Sequence, residues 1–162
     1  MTVKGALKAK EAGAAAIVVS NHGGRVLDQC PATAEVLPEI AAALKGTGVK
    51  ILVDGGIRTG VDVFKALALG ADGVLICRPF VTAVYGGGEE GVKCYIDKLA
   101  GELADTMQMC GAHSRGRDHP GYGAGIEKVN RKSGLCLCGA GPLFSILALA
   151  AACRGMCARI SA

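Results

Sequence analysis

Ala14-Ala15-Ala16-Ile17-Val18-Val19-Ser20-Asn21-His22-Gly23-Gly24-Arg25 joins a short apolar run to a polar, glycine-bearing turn. The run is β-branched at its end and too short for a helix, which predicts a buried strand over 15–20. The unit recurs downstream. Gly48-Val49 precedes Ile51-Leu52-Val53, and Gly70-Ala71 precedes Val74-Leu75-Ile76, giving strands over 50–54 and 73–77. Each time a glycine closes a helix-like segment before the strand begins, the punctuation of αβ units with buried parallel strands. Helices are predicted over 3–12, 33–44, 60–69 and 91–109. Thr59-Gly60-Val61-Asp62 resembles a capping box, with Asp62 in the place of the usual Glu. It sets Val63, Leu67 and Ala71 on one helical face, with Ala66 beside them.

The chain of 162 residues is 51% hydrophobic and carries a net charge of +4, enough apolar content for a real core. No block of like charge falls in residues 1–114, so nothing argues for a nucleic-acid partner. Eight cysteines suggest a disulfide framework by number only. Cys30, Cys77, Cys94 and Cys110 are scattered through an αβ pattern, which favours reduced thiols. Met1-Thr2-Val3-Lys4 leads into an Ala/Lys/Glu-rich helix and does not resemble a secretory leader, so a cytoplasmic location is expected.

Residues 115–162 differ in kind, with many glycines, Cys136, Cys138, Cys153 and Cys157, and no αβ periodicity. The cysteines lack the paired spacing of a zinc site. Residues 133–153 are uncharged, but Gly139, Gly141 and Pro142 interrupt them, leaving 143–153 as the strongly apolar part. That is short of the roughly 20 residues a membrane span needs. A tail read out of frame, or joined by an assembly error, accounts for this composition better than a membrane helix.

His22 and Arg25 stand just beyond the carboxyl end of the first strand, where open sheets and barrels keep their chemistry. An imidazole and a guanidinium, separated by two glycines, can converge on one small anion, and the glycines allow the sharp turn. The alternative is a polar turn after a core strand. Asp54-Gly55-Gly56-Ile57-Arg58 follows the second strand and Cys77-Arg78 the third. Loops after successive barrel strands, with an adjoining helix N-terminus, suit a phosphate; the alternative is ordinary loop glycines with exposed arginines.

At these residues the chain resembles the FMN-dependent 2-hydroxy acid dehydrogenases and oxidases, the family of glycolate oxidase and flavin-linked L-lactate dehydrogenase. Ser20-Asn21-His22-Gly23-Gly24-Arg25-Val26-Leu27-Asp28 is the specific segment. Asp54-Gly55-Gly56-Ile57-Arg58 and Phe64-Lys65-Ala66-Leu67-Ala68-Leu69-Gly70-Ala71, leading to Arg78-Pro79, agree in order. The resemblance covers residues 1–114 and implies an α/β fold, the last three βα units of a (β/α)8 TIM barrel, with 115–162 an unmatched tail. A complete barrel needs about 250 residues.

The resemblance implies FMN as cofactor and a small 2-hydroxy acid as substrate. His22 would take the hydroxyl proton while the α-hydrogen leaves as hydride, and an imidazole titrating near pH 6.5 suits that task. Arg25 would hold the carboxylate by a two-pronged, charge-assisted pair. Asp28 would orient backbone or Arg25. Ser20, Asp54, Gly55, Gly56, Ile57, Arg58, Cys77 and Arg78 would contact the cofactor, with Asp54 on the ribityl hydroxyls and the glycines and arginines on the phosphate. Cys77 departs from the family's glycine before Arg-Pro. The family's flavin lysine aligns ahead of Met1, so Lys4 reads as a solvated helix lysine. Substrate tyrosines and the histidine's aspartate belong to strands upstream; Tyr85, Tyr95 and Tyr122 stand in the wrong places to replace them, and His113 and His119 have no argued role. This leaves two alternatives to catalysis of that kind. One is a non-catalytic half-barrel with residual phosphate or FMN binding, prone to self-associate through its open strand edges. The other is a different FMN-dependent barrel enzyme such as an isomerase.

Overall fold

The computed structural model describes residues 1–112. The tail expected from 115 onwards, with His113, His119 and Tyr122, lies outside them. Four helices and three strands alternate: α1 (Val3–Glu11), β1 (Ala16–Val19), α2 (Thr33–Leu44), β2 (Lys50–Asp54), α3 (Gly60–Ala68), β3 (Gly73–Leu75) and α4 (Arg78–Met109). The strands lie in the order β1-β2-β3, all parallel, with Val19 level with Val53 and Val53 level with Val74. A sequential order without a reversal is barrel winding; a doubly wound sheet would reverse at its switch point.

One core joins Ala6 of α1, Leu37, Ile40 and Leu44 of α2, Phe64 and Leu67 of α3 and Leu103 of α4 to Val19, Ile51, Val53 and Val74 of the sheet. All four helices therefore cover the same sheet face. The alternate residues Val18, Leu52 and Leu75 point the other way. Here the expected burial of all three strands needs correction. In β1, Ala16 and Val18 are exposed, Val18 by 51%, because among the described residues nothing covers that face and β1 is an edge. The structure is one wall of a (β/α)8 barrel, three βα units wide.

Local chemistry explains the elements. Thr2 caps α1, its Oγ1 accepting from the Gly5 amide at 3.2 Å, and Lys4 is exposed on that helix. The capping box at α3 is real: Thr59 Oγ1 accepts from the Asp62 amide at 3.2 Å, and Asp62 Oδ2 accepts from the Thr59 amide at 3.0 Å. Asp72 ties β2 to β3 by accepting from the Ile51 amide at 2.9 Å and pairing with Lys50 at 3.0 Å. Among the described residues none of Cys30, Cys77, Cys94 and Cys110 is in a disulfide.

Two boundaries differ from expectation by more than one residue. The third strand stops at Leu75, and helix begins at Arg78 rather than 91. Pro79 sits in the first turn of α4, where its missing N–H costs nothing. The helix then breaks at Gly87 and Gly88 and folds back on itself. The rings of Phe80 and Tyr95 meet edge to face at 5.0 Å, whereas fifteen residues of straight helix would separate their backbones by roughly 22 Å.

The return arm of α4 crosses the start of α3 at Gly60. A Cβ there would stand 2.3 Å from the Leu103 amide nitrogen and 2.6 Å from the Leu99 carbonyl oxygen. Glu102 completes the joint, its Oε2 accepting from the Gly60 amide at 2.8 Å and its other oxygen bonded to Lys98. The Lys98 hydrogen bond first, and the Gly60 amide second, hold the Glu102 carboxyl below the usual carboxylate range. Gly60→Ala is expected to destabilise the protein by about 1–3 kcal/mol, the scale of overpacking against backbone that cannot yield, as read by urea unfolding. The Glu102 contribution is present above the ordinary carboxylate pKa and is lost as pH falls through its lowered value. Glu102→Gln should therefore be less stable than wild type at neutral pH and converge with it in acid. A constant gap across the titration would exclude the charge as the cause.

Candidate functional site

The parallel strands bring three loops to one edge, each following a strand's carboxyl end. After β1, Ser20 and Asn21 lead into a single 3-10 turn, His22–Gly24. His22 is in the left-handed region at φ 54°, a conformation uncommon for a residue with a Cβ, though histidine enters it more readily than most. Two side chains hold it there. Ser20 Oγ accepts from the His22 amide at 3.1 Å, and Asn21 Oδ1 accepts from the Gly23 amide at 3.0 Å.

Ser20 is itself fixed by the neighbouring strand. Its hydroxyl donates to Asp54 Oδ2 at 2.7 Å, across the end of the β1–β2 pair. A continuous path thus runs from the Asp54 carboxylate through Ser20 to the backbone of His22. The same end of the sheet carries Gly55 and Gly56, both at positive φ, 99° and 81°. A Cβ on Gly55 would stand 3.6 Å from Asn21 Oδ1, whereas nothing lies within 4 Å of one on Gly56. The backbone at Gly56 is open to a close approach.

The third loop arrives from β3. Cys77 is the N-cap of α4 but caps nothing with its side chain, and it is exposed. Arg78 opens the helix and reaches back to the His22 turn, its Nη2 3.6 Å from where a Gly23 Cβ would be. The structure thus assembles Ser20, His22, Asp54, Gly55, Gly56 and Arg78 at one place. Arg58 is held by the other side of its loop: its amide donates to Asp62 at 3.1 Å, and its carbonyl accepts from Tyr95 Oη at 2.8 Å. Ile57 packs partly against the core.

His22 and Arg25 are exposed, and among the described residues their side chains make no hydrogen bond or ion pair. The expected link between Asp28 and Arg25 is not made; Asp28 Oδ1 instead lies 3.0 Å from the Cβ position of Gly24, whose φ of 75° is what favours glycine there. Three contributors carried no role in the sequence reading. Asn21 was legible as an Asx turn, since Asn-His-Gly is a pattern that closes on itself. Tyr95 and Glu102 reach the site's loops from far along the chain, and no local pattern marks them. A free imidazole, free guanidinium groups and open glycine amides on one edge suit a small anionic ligand.

Comparison with known proteins agrees with the geometry. A family profile described as FMN-dependent dehydrogenase matches residues 1–119. A peroxisomal (S)-2-hydroxyacid oxidase of Arabidopsis thaliana is 55% identical over 111 residues, 68% of this chain and 30% of that protein. An L-lactate oxidase of Lactobacillus jensenii is 50% identical over 115 residues, 67% of this chain and 28% of that one. A crystal structure of mandelate oxidase with benzoyl-formic acid superposes with a TM-score of 0.65 at 50% identity, covering 67% of this chain and 32% of that one. The chain spans about a third of the length of these relatives. With the specific His22–Arg25 turn, the barrel winding and a match over most of its length, this chain belongs to the FMN-dependent dehydrogenase family.

Proposed function

We propose that this chain carries the base, the carboxylate anchor and the phosphate grip of an FMN-dependent enzyme that oxidises a small 2-hydroxy acid to the 2-oxo acid. The observation that carries the reading is the strained His22 turn, tied through Ser20 to Asp54 with Arg78 packed beside Gly23. The residues fit the cofactor. Gly56 has open space where a Cβ would be, and Arg58 and Arg78 supply charge for a phosphate, with the uncapped start of α4 beside it.

FMN, when bound, supplies a hydride acceptor. His22 would accept the hydroxyl proton on its free imidazole as the α-hydrogen leaves, and Arg25 would fix the carboxylate and so the face presented. Asp54 Oδ1 is free for a ribityl hydroxyl while Oδ2 holds Ser20. Gly55, Gly56, Ile57, Arg58, Cys77 and Arg78 would line the phosphate side. The relatives named for lactate, mandelate and (S)-2-hydroxyacid oxidation support the substrate class. They give no support to an isomerase, and the His22/Arg25 pair argues against one. A cytoplasmic setting is part of this proposal, although the Arabidopsis relative is named as peroxisomal. Among the described residues no helix is long and apolar enough to cross a membrane. A second reading is favoured by one observation, the bare sheet face at Val18. The 162-residue polypeptide by itself would be a non-catalytic wall with residual phosphate or FMN binding, inclined to self-associate.

In a full-length enzyme carrying this segment, His22→Ala should retain flavin and slow its reduction by 2-hydroxy acid about 10²-fold or more, measured by anaerobic stopped-flow bleaching. Arg25→Ala should chiefly weaken substrate binding. Near-native reduction by the His22 variant would remove the base from this scheme. For the 162-residue chain by itself, a colourless preparation without turnover on added FMN is expected. Bleaching of a yellow preparation by lactate would overturn the second reading.

A further inference from the structure

Tyr95 lies on the return arm of α4, far in sequence from every loop of the site, yet it touches two of them. Its hydroxyl donates to the Arg58 carbonyl at 2.8 Å. Its ring meets that of Phe80 edge to face at 5.0 Å, and Phe80 is buried in the first turn of α4, two residues beyond Arg78. One side chain thus spans the loop after β2 and the helix start after β3, the two segments that carry Arg58 and Arg78.

We propose that Tyr95 is a positioning residue for the phosphate grip, setting the separation of the Arg58 loop from the Arg78 helix start by its bond to the Arg58 carbonyl and its ring contact with Phe80. This rests on the reading that those two segments hold a phosphate. The fold-back at Gly87 and Gly88 is what makes the bridge available, because a straight α4 would carry Tyr95 away from Phe80 and the β2 loop. A rigid two-point grip binds better than two independently mobile arginines, since less ordering is left to be done on binding. Burial raises the Tyr95 pKa above its ordinary value, which keeps the phenol a donor. Lys98, Glu102 and Asp62 are the charged groups around it.

The test uses the 162-residue chain and inorganic phosphate as the probe, followed by NMR shifts of the Gly55, Gly56 and Arg78 amides. Tyr95→Phe removes only the hydroxyl and keeps the ring on Phe80. It is expected to weaken phosphate binding about five-fold, on the scale of one net hydrogen bond, measured at a temperature where both forms are fully folded. Equal phosphate affinity in wild type and Tyr95→Phe would overturn the positioning role and leave the proposed function standing. Absence of phosphate binding in wild type itself would overturn both. Should Tyr95→Phe not fold, wild type answers alone. The Arg58 carbonyl-carbon shift should follow Tyr95 ionisation above the ordinary tyrosine range, and a shift indifferent to that ionisation would remove the bridge.

Discussion

Parallel pairing of β1, β2 and β3 is the constraint on which the rest depends. Because all three strands run the same way, their carboxyl ends share one edge, and the loops that follow them must meet there. The helices, wound to one side, bury Val19, Ile51, Val53 and Val74 and so fix which residues point elsewhere. Ser20 and Asp54, on the opposite face and at the same edge, then bond across the sheet without any dedicated motif. A one-residue slip of either strand would send its own side chain, Ser20 or Asp54, into the helix layer and break the bond between them.

Strand centres, the α3 capping box and the His22–Arg25 turn were legible because each is a short-range pattern: glycine before a β-branched run, Thr before Asp at capping distance, two glycines between charged groups. What was not legible depended on position in space. Val18 and Val19 are the same residue type in one run, yet only Val19 is buried, since sheet edge and open face are properties of the assembly. The Arg78 start of α4 was hidden by Pro79 and by the glycines at 86–88, which interrupt the helical pattern ahead of 91. In the structure the proline opens a helix and the glycines reverse it. Tyr95 and Glu102 act on residues 37 and 42 positions away, beyond any sequence period.

The joint between α3 and α4 extends this logic away from the sheet. Gly60 is where two helix backbones come closest, and Glu102 and Lys98 close the joint with charge. The Asp62 carboxylate caps α3 and accepts from the Arg58 amide, so the same capping residue that starts a helix also ends the functional loop. Helix initiation and site geometry are here one set of hydrogen bonds, and a change made to one is felt by the other.

The left-handed backbone at His22 bears on which residue the turn can hold at least cost. That conformation costs an L-residue about 1 kcal/mol or more, and glycine would occupy it without the Cβ conflict. Folding alone therefore favours a third glycine beside Gly23 and Gly24, while the proton-accepting role proposed for His22 requires the imidazole. Without that role, glycine at position 22 would be the less strained choice.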